Sequence, residues 1–209
     1  MFESRSKLDR GIDAFDRHDW KKARRLLEEA LQDEERAAGH YHLGLLYWRG
    51  LGGPVEKAAA AGCFARAANE GHPAAQTAYG IALRSGAGVA KDDELARQQF
   101  RSAAGAGDGD AMVQLATMSE PDDARRWLMR ASELGHAPAM LHLSDALLPR
   151  DPTEALAWLY TSVALSGDDE ARRRGATLAK EMTASEIEAA QKAGRTYAKD
   201  IQKRSRERR

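Results

Sequence analysis

The sequence predicts an all-α solenoid built from short helix–turn–helix repeats, and two observations support this prediction: the composition and an internal repeat. Among 209 residues there are 40 alanines but only four valines and four isoleucines. Strands need β-branched and aromatic side chains to fill a pleated surface, whereas alanine and leucine favour helices. The composition therefore indicates helices throughout.

The internal repeat has a period of 36 residues. Eight positions hold this offset without a gap: Gly44 with Gly80, Tyr47 with Leu83, Gly50 with Gly86, Gly52 with Gly88, Phe64 with Phe100, Ala67–Ala68 with Ala103–Ala104, and Gly71 with Gly107. A period of this length is typical of stacked supersecondary units.

Two further copies follow without the glycine-rich loop. The third begins at Ala111, and its second half matches the preceding copy at an offset of 28, so that Leu128 corresponds to Phe100. The fourth begins at Ala139 and continues through Trp158. We therefore expect about twelve helices in all, paired into five hairpins and a two-helix cap.

The ends of several helices can be predicted from their capping residues. Asp92 and Asp151 are placed to accept a hydrogen bond as N-caps. The segments 119–122 and 183–186 have the spacing of a capping box. Left-handed residues are expected where a glycine follows a helix, at Gly71, Gly107 and Gly135.

The best repeats read Leu-Gly-x-x-Tyr-x-x-Gly-x-Gly, followed by an acidic residue, alanine, an aromatic residue and Ala-Ala-x-x-Gly. This pattern resembles the Sel-one-like repeat, a relative of the tetratricopeptide repeat, and the resemblance implies a right-handed α/α solenoid. It divides the chain into a tetratricopeptide-like hairpin, four repeats, and a cap with a basic tail. The ranges are 1–37 for the hairpin, 38–73, 74–109, 110–137 and 138–167 for the repeats, and 168–209 for the cap.

Two departures from the family pattern stand out. Gly53 occupies a position where valine is usual, and Cys63 occupies a common tryptophan position. Because Cys63 is the single cysteine, no intrachain disulfide can form, and the chain lacks the cysteines of the disulfide-rich, secreted branch of the family. With a charged N-terminal segment and no long apolar run, the chain is predicted to be soluble and, if bacterial, cytoplasmic.

The search for catalytic or ligand-binding motifs predicts no catalytic residue, no cofactor and no metal. His72 and His136 each follow a helix-ending glycine, so the repeat accounts for both. Gly86-Ala87-Gly88 lacks the lysine of a phosphate-binding loop and joins two helices. Cys63 lies among apolar residues and is expected to be a buried, unreactive thiol. We therefore expect a protein that is not an enzyme.

The C-terminus is the most charged segment. Residues 199–209 carry six positive and two negative charges, and Arg172–Arg174 form a second basic cluster. One interpretation is a solvated helix end, and the other is a docking point for an acidic partner, anionic lipid or RNA. The residues of the tail are Lys203, Arg204, Arg206, Arg208 and Arg209.

The first helix of the first repeat is apolar almost all round. Besides the side chains that serve the core, Tyr41, Leu45 and Trp48 form a second stripe at positions i, i+4 and i+7. A surface helix needs one apolar stripe, so a second one indicates burial by something else. The candidate binding residues on the inner, concave surface of the solenoid are Tyr41, Leu45, Trp48, Arg49, Thr77, Ile81 and Arg84. Coverage of the stripe by neighbouring helices or by the cap is the alternative.

Since solenoids bind along their concave surface, the sequence predicts a cytoplasmic adaptor that holds a partner protein or peptide there. The alternative is a protein that associates with nucleic acid or membrane through the basic tail. The balance of 32 basic and 32 acidic residues does not favour nucleic acid along the whole chain. The identity of the partner and self-association of the chain stay open.

Overall fold

The computed structural model describes residues 6–32 and 36–207, and over these residues it is helical, without any strand. The helices, in chain order, are α1 Lys7–Asp16, α2 Trp20–Ala30, α3 Ala37–Arg49, α4 Lys57–Asn69, α5 Pro73–Ser85, α6 Asp93–Gly105, α7 Gly109–Thr117, α8 Pro121–Glu133, α9 Ala137–Leu147, α10 Pro152–Ser166, α11 Asp169–Leu178 and α12 Ala184–Glu207, with a 3₁₀ turn at Ala179–Glu181. The predicted all-α class is confirmed.

The helices pack in consecutive pairs and form two compact units. Unit 1, residues 1–106, contains the pairs α1–α2, α3–α4 and α5–α6. Unit 2, residues 107–209, contains the pairs α7–α8 and α9–α10, with α11 and the long α12 packed on α10. This pairing is the arrangement expected of an α/α solenoid.

Most of the predicted helix ends are confirmed. The Asp92 carboxylate accepts from the backbone N–H groups of residues 94 and 95 at 3.1 and 2.9 Å, and the Asp151 carboxylate accepts from that of residue 154 at 2.9 Å. Thr183 and Glu186 form the reciprocal capping box, with Thr183 N donating to Glu186 Oε2 at 2.8 Å. Hydrogen bonds from Thr183 lower the pKa of Glu186.

The capping box predicted at residues 119–122 is wrong. Helix α8 has Glu120 as its N-cap, without a side-chain capping bond. The Ser119 hydroxyl instead donates to the carbonyl of Leu115 at 2.7 Å, in the last turn of α7. Because the connection between the two helices is short, this hydroxyl satisfies the end of one helix and not the start of the next.

The two glycine-rich loops of unit 1 have the same conformation. Gly52 and Gly88 both have positive φ, of +75° and +77°. A Cβ atom at Gly52 would lie 2.4 Å from the carbonyl oxygen of Trp20, and one at Gly88 would lie 2.1 Å from that of Lys57. Each loop therefore lies against the start of the second helix of the preceding hairpin, so close that only glycine fits.

The structure explains why glycine, and not the valine usual in this repeat, stands at position 53. The Arg24 guanidinium from α2 fills the space beside this residue, where a Cβ atom would lie 2.2 Å from Nη1. Arg24 donates to Glu28 Oε1 at 2.9 Å and to Glu56, and its Cζ lies 4.5 Å from the centre of the Tyr47 ring. Glycine at position 53 thus lets α2 hold the first loop in place.

The core of each hairpin of unit 1 is built around a glycine on the first helix and a bulky side chain on the second. A Cβ atom at Gly44 would lie 2.6 Å from Phe64, and one at Gly80 would lie 2.6 Å from Phe100. Both phenylalanines are almost completely buried. Close approach of the two helices at these glycines therefore sets their packing.

Candidate partner-binding surface

The register of the first helices in unit 1 follows from the glycines that face the core. Gly11 on α1 faces Leu27 of α2, as Gly44 faces Phe64 and Gly80 faces Phe100. Gly11, Gly44 and Gly80 are therefore structurally equivalent. Positions at the same distance from these glycines can be compared directly across α1, α3 and α5.

One residue after each of these glycines stands an aliphatic side chain. Ile12, Leu45 and Ile81 are all half-buried in unit 1. We call these three residues the aliphatic row. Two of them, Leu45 and Ile81, belong to the predicted surface, whereas Ile12 was missed by sequence reasoning. The signal was the alignment of Gly11 with Gly44 at an offset of 33.

Tyr41 lies beside the row and is held by a histidine of the next hairpin. Its ring stacks on that of His72, with centroids 4.7 Å apart and planes inclined by 26°. His72 is the N-cap of α5, where its Nδ1 accepts from the backbone N–H of Ala75 at 3.2 Å. His72 therefore has a structural role, as the sequence predicts, and it orients Tyr41 at the edge of the surface.

Trp48 is half-buried on the other side of the row. Lys57 Nζ lies 3.7 Å from the centre of its ring and donates to its carbonyl oxygen at 2.8 Å. This lysine both makes a cation–π contact and satisfies a carbonyl in the last turn of α3.

The stripe was predicted to be separate from the side chains that serve the core, and this prediction is wrong for Tyr41 and Trp48. The rings of Tyr41 and Trp48 lie 6.3 and 5.9 Å, centre to centre, from the buried ring of Phe64. Both positions flank Gly44 on the helix surface, so their side chains reach the phenylalanine that packs there.

The remaining predicted residues differ in how much surface they offer. Arg49 is exposed and Arg84 is half-buried, each in the last turn of its helix. Thr77 is only 5% exposed, so it presents almost no surface to a partner. Helices α3 and α5 contain no acidic residue, and their only arginines are Arg49 and Arg84.

The basic tail lies at the end of α12. Lys203, Arg204 and Arg206 are exposed, while Arg208 and Arg209 lie outside the described residues. Arg204 Nη1 is 3.9 Å from Glu133 Oε2.

The second basic cluster is neutralised within unit 2. Arg174 binds Asp145 through two contacts at 3.0 and 2.9 Å and Glu170 at 2.8 Å. Arg172 and Arg173 form ion pairs with residues 169 and 170. The pKa of Glu170 is lowered by its hydrogen bonds from Arg174 and Arg173. All three arginines are therefore paired with carboxylates of unit 2.

The described residues offer little for catalysis. Cys63 is half-buried against the core of unit 1, and burial raises the pKa of its thiol to about 11. Within residues 6–32 and 36–207, no three His, Cys, Asp or Glu side chains are grouped so as to hold a metal ion. In that same part of the chain, no helix is long and apolar enough to cross a membrane.

Paired helices, glycines that fix their packing and an apolar row on successive first helices define an α/α repeat protein. The model of the Sel1 repeat matches residues 37–72, 73–108, 110–136 and 137–165, which is more than half of the chain. The chain belongs to the Sel1 repeat family. No curated protein matches it by sequence.

Two solved structures share the fold. A Sel1 repeat protein from Oxalobacter formigenes is 23% identical, with a TM-score of 0.71 over 95% of this chain and 87% of that one. The protective antigen c5321 of uropathogenic Escherichia coli, which displays an SLR fold, is 19% identical, with a TM-score of 0.55. That alignment covers 93% of this chain and 53% of the antigen.

Proposed function

We propose that this chain is a non-enzymatic adaptor that binds a segment of a partner protein along the first helices of unit 1. The observation that carries the proposal is the aliphatic row. The first helices of three successive hairpins each leave an aliphatic side chain partly exposed at the same position, and Tyr41 and Trp48 flank the middle one. Apolar surface that is continuous across elements is a mark of an interaction site. Proteins of the Sel1 repeat family are in general scaffolds for protein–protein interaction, which agrees with this proposal.

The geometry of the row suits an extended peptide. Packed helices lie roughly 10 Å apart, and one turn of an extended polyproline II chain, in which residues i and i+3 share a face, spans about 9 Å. A peptide that crosses α1, α3 and α5 would therefore place every third side chain over one residue of the row. Such a segment needs apolar residues at that spacing.

The charges beside the row favour a partner with carboxylates. Arg49 is exposed in the last turn of α3, and α3 itself contains no acidic residue. Arginine binds carboxylates through paired hydrogen bonds, which fix the orientation of the partner. The proposed ligand is thus an apolar segment with acidic residues.

The setting we propose is the cytoplasm, since a single half-buried cysteine suits a reducing compartment. Binding of nucleic acid or membrane by the tail is not proposed, because nothing in the structure or the comparisons favours it.

Site-specific photo-crosslinking tests the proposal. A benzophenone amino acid is placed at Leu45 in the full chain, in cells of the native host. The matched control places it at Gln98, which is exposed on the second helix α6. We expect one or a few discrete crosslinked proteins from position 45 and none of them from position 98. Equal crosslinking from both positions would contradict the proposal.

A further inference from the structure

Helix α12 packs on α10 through the small residues of one face. Ala190, Gly194 and Ala198 are buried there. A Cβ atom at Gly194 would lie 2.8 Å from the carbonyl oxygen of Ala157 in α10, so the two helices approach closely at this glycine. This contact sets the rotation of α12 about its own axis, and with it the face that α12 turns to the solvent.

The outward face of α12 carries a line of cations. Lysines and arginines recur there three or four residues apart, and all of them are exposed: Lys192, Arg195, Lys199, Lys203 and Arg206. With about 3.6 residues per turn, these side chains fall within about 80° of arc, roughly opposite the buried face, over a length of about 21 Å. We call these five residues the basic ridge.

The basic ridge is not neutralised by the part of the chain that the structure describes. None of its five side chains forms an ion pair there, and the ion pair between α12 and α8 belongs to Arg204, which lies off the ridge. Exposed arginines elsewhere in unit 2 do pair, as Arg126 does with Asp123 at 3.1 Å and Arg173 with Glu170 at 2.6 Å. The ridge is thus a line of unpaired positive charge in a chain whose formal net charge is zero.

Neighbouring members of the basic ridge repel one another. Arg195 and Lys199 stand four residues apart, as do Lys199 and Lys203. Like charges at this spacing destabilise a helix, and interleaved acidic residues usually relieve the repulsion. The acidic residues nearby, Asp200 and Glu207, instead lie about a quarter turn to one side of the ridge. A partner that brings carboxylates along the ridge would relieve the repulsion.

The last turns of the ridge enclose a shallow pocket of about 380 Å³. It is lined by Lys199, Gln202, Lys203, Arg206 and Glu207. Three cations and an amide that can donate hydrogen bonds face this space, against a single carboxylate. The pocket therefore favours an anion, and a carboxylate side chain can be held there at several points.

We propose that the basic ridge binds an acidic α-helix of a partner protein, laid along α12. Two helices that lie side by side have the same rise of about 1.5 Å per residue, so carboxylates three or four residues apart on one match the cations on the other. A narrow helix contacts the ridge without covering Asp200 and Glu207. The ridge belongs to unit 2 and is separate from the aliphatic row, so either assignment can fail without the other.

Two other kinds of anionic partner fit this face less well. A membrane is flat and would meet Asp200 and Glu207 together with the ridge, which lowers the net positive charge in contact. Single-stranded nucleic acid is held through stacking of its bases on aromatic side chains. The single aromatic residue of α12, Tyr197, stacks on Trp158 instead. The charges and the lack of an exposed ring on this face therefore favour a protein helix.

Two stapled helical peptides test this proposal on the full chain. Both have the same composition, with as many glutamates as the ridge has cations. In one peptide the glutamates follow the spacing of the ridge on a single face, and in the other they are spread around the helix. We expect the one-faced peptide to bind at least about fivefold more tightly in fluorescence anisotropy, and the difference should shrink as salt is added.

A matched pair of charge reversals locates the binding. Arg195→Glu with Lys199→Glu, on the ridge, should weaken binding of the one-faced peptide roughly tenfold or more. The control is Lys21→Glu with Arg25→Glu, at the same spacing on the exposed side of α2 in unit 1. It gives the protein the same net charge and should change the affinity by less than about twofold. Denaturation curves check that both double variants are folded.

Several results would overturn the proposal. Equal affinity of the two peptides, or unchanged affinity in the folded ridge variant, would exclude the ridge as the binding surface. Vesicles that contain phosphatidylserine and a single-stranded oligouridine are tested in the same buffer, and tighter binding of either than of the one-faced peptide would exclude a protein helix as the preferred partner. Sedimentation of the chain alone tests a second copy as the occupant. An oligomer that the ridge variant separates into monomers, while the control does not, would exclude a different partner protein.

Discussion

The two units are built from the same hairpin, but they differ in which helix carries the aromatic side chains beside the glycine or alanine contact. In unit 1 these are Tyr41 and Trp48 on the first helix α3, beside the aliphatic row. At the corresponding positions on the first helices of unit 2 stand Thr117 and Asp145, and Asp145 is bound by Arg174.

The second helices show the reverse pattern. The position that holds Cys63 and Gln99 in unit 1 holds Trp127 and Trp158 in unit 2. Trp158 is buried and stacks on Tyr197 of α12, whereas Cys63 packs against the core of unit 1. The repeat therefore fixes which residues meet between the two helices of a hairpin, and the positions beside them are free to differ between the units.

The largest effect is expected in a loop that only unit 1 contains. Gly88→Ala should destabilise the protein by about 3 kcal/mol, because the new Cβ overlaps the backbone at Lys57 and the left-handed φ disfavours alanine. Chemical denaturation measures the change. The matched control is Gly62→Ala, which faces open space within α4 and should stabilise by roughly 0.5–1 kcal/mol. A loss for Gly88→Ala no larger than about 0.5 kcal/mol would show that the loop yields easily.

The pair of residues that packs between the two helices of a hairpin in unit 2 should also be tolerated in unit 1. Unit 1 pairs Gly80 with Phe100, while the corresponding residues of unit 2 are Ala116 and Leu128. Gly80→Ala and Phe100→Leu should each destabilise by about 1–2 kcal/mol, through overpacking and a cavity respectively. The double variant should lose at least about 1 kcal/mol less than the sum of the single losses. Strict additivity of the three unfolding free energies would mean that the pair is not coupled.

The helix caps give a smaller difference. His72 caps α5 in unit 1, and Asp108 caps α7 in unit 2 by accepting from the N–H of Ala111 at 2.8 Å. His72→Ala should cost about 1 kcal/mol, because an N-cap is lost together with the stacking on Tyr41. His72→Asp should recover most of this loss, since aspartate caps well. If both variants unfold alike, the stacking and not the cap stabilises this junction.

The last effect appears only in alkaline solution and concerns the pH dependence from Cys63. Its pKa is raised from 9.0 to about 11 in the folded protein, so the folded state resists loss of the thiol proton. The stabilising contribution is complete below about pH 9 and is lost as the pH rises through about 11. Cys63→Ala should remove this part of the pH dependence. The difference in the free energy of unfolding between wild type and variant should therefore change as the pH rises from about 9 to about 11. A constant difference from pH 7 to 11 would contradict the raised pKa.

Much of the fold could be predicted because the same few residues recur at a fixed offset. The glycines at 44 and 80 and the phenylalanines at 64 and 100 identify which positions face each other, and repetition makes them visible. Caps such as Asp92 depend on neighbours in the chain, so they too were predictable. Ser119 was not, because its hydroxyl could satisfy either of two helix ends.

The candidate sites were only partly predictable. Leu45 and Ile81 follow from their place beside the glycines, but the contact between Trp48 and Phe64 depends on side-chain direction. A pocket of unit 2 lies between two repeat helices and the C-terminal helix, with Glu133 and Tyr197 far apart in sequence. No pattern in the sequence relates such residues, since only the fold of unit 2 brings them together.

The central claim is that the aliphatic row of unit 1 binds the partner, and a transplant from unit 2 tests it most directly. Leu45→Thr and Ile81→Asp together give unit 1 the residues that unit 2 has at the same positions. They are preferable to Trp48→Ala, because Trp48 also contacts the core at Phe64. The control is Gln98→Asp on the exposed face of α6.

Affinity for the protein crosslinked at position 45 and the free energy of unfolding are measured on each variant. The account predicts that the double variant binds at least tenfold more weakly, a loss of about 1.4 kcal/mol or more, while the control binds normally. The free energy of unfolding should change by no more than about 1 kcal/mol, since both side chains are half-buried. Unchanged affinity in a folded double variant would contradict the account.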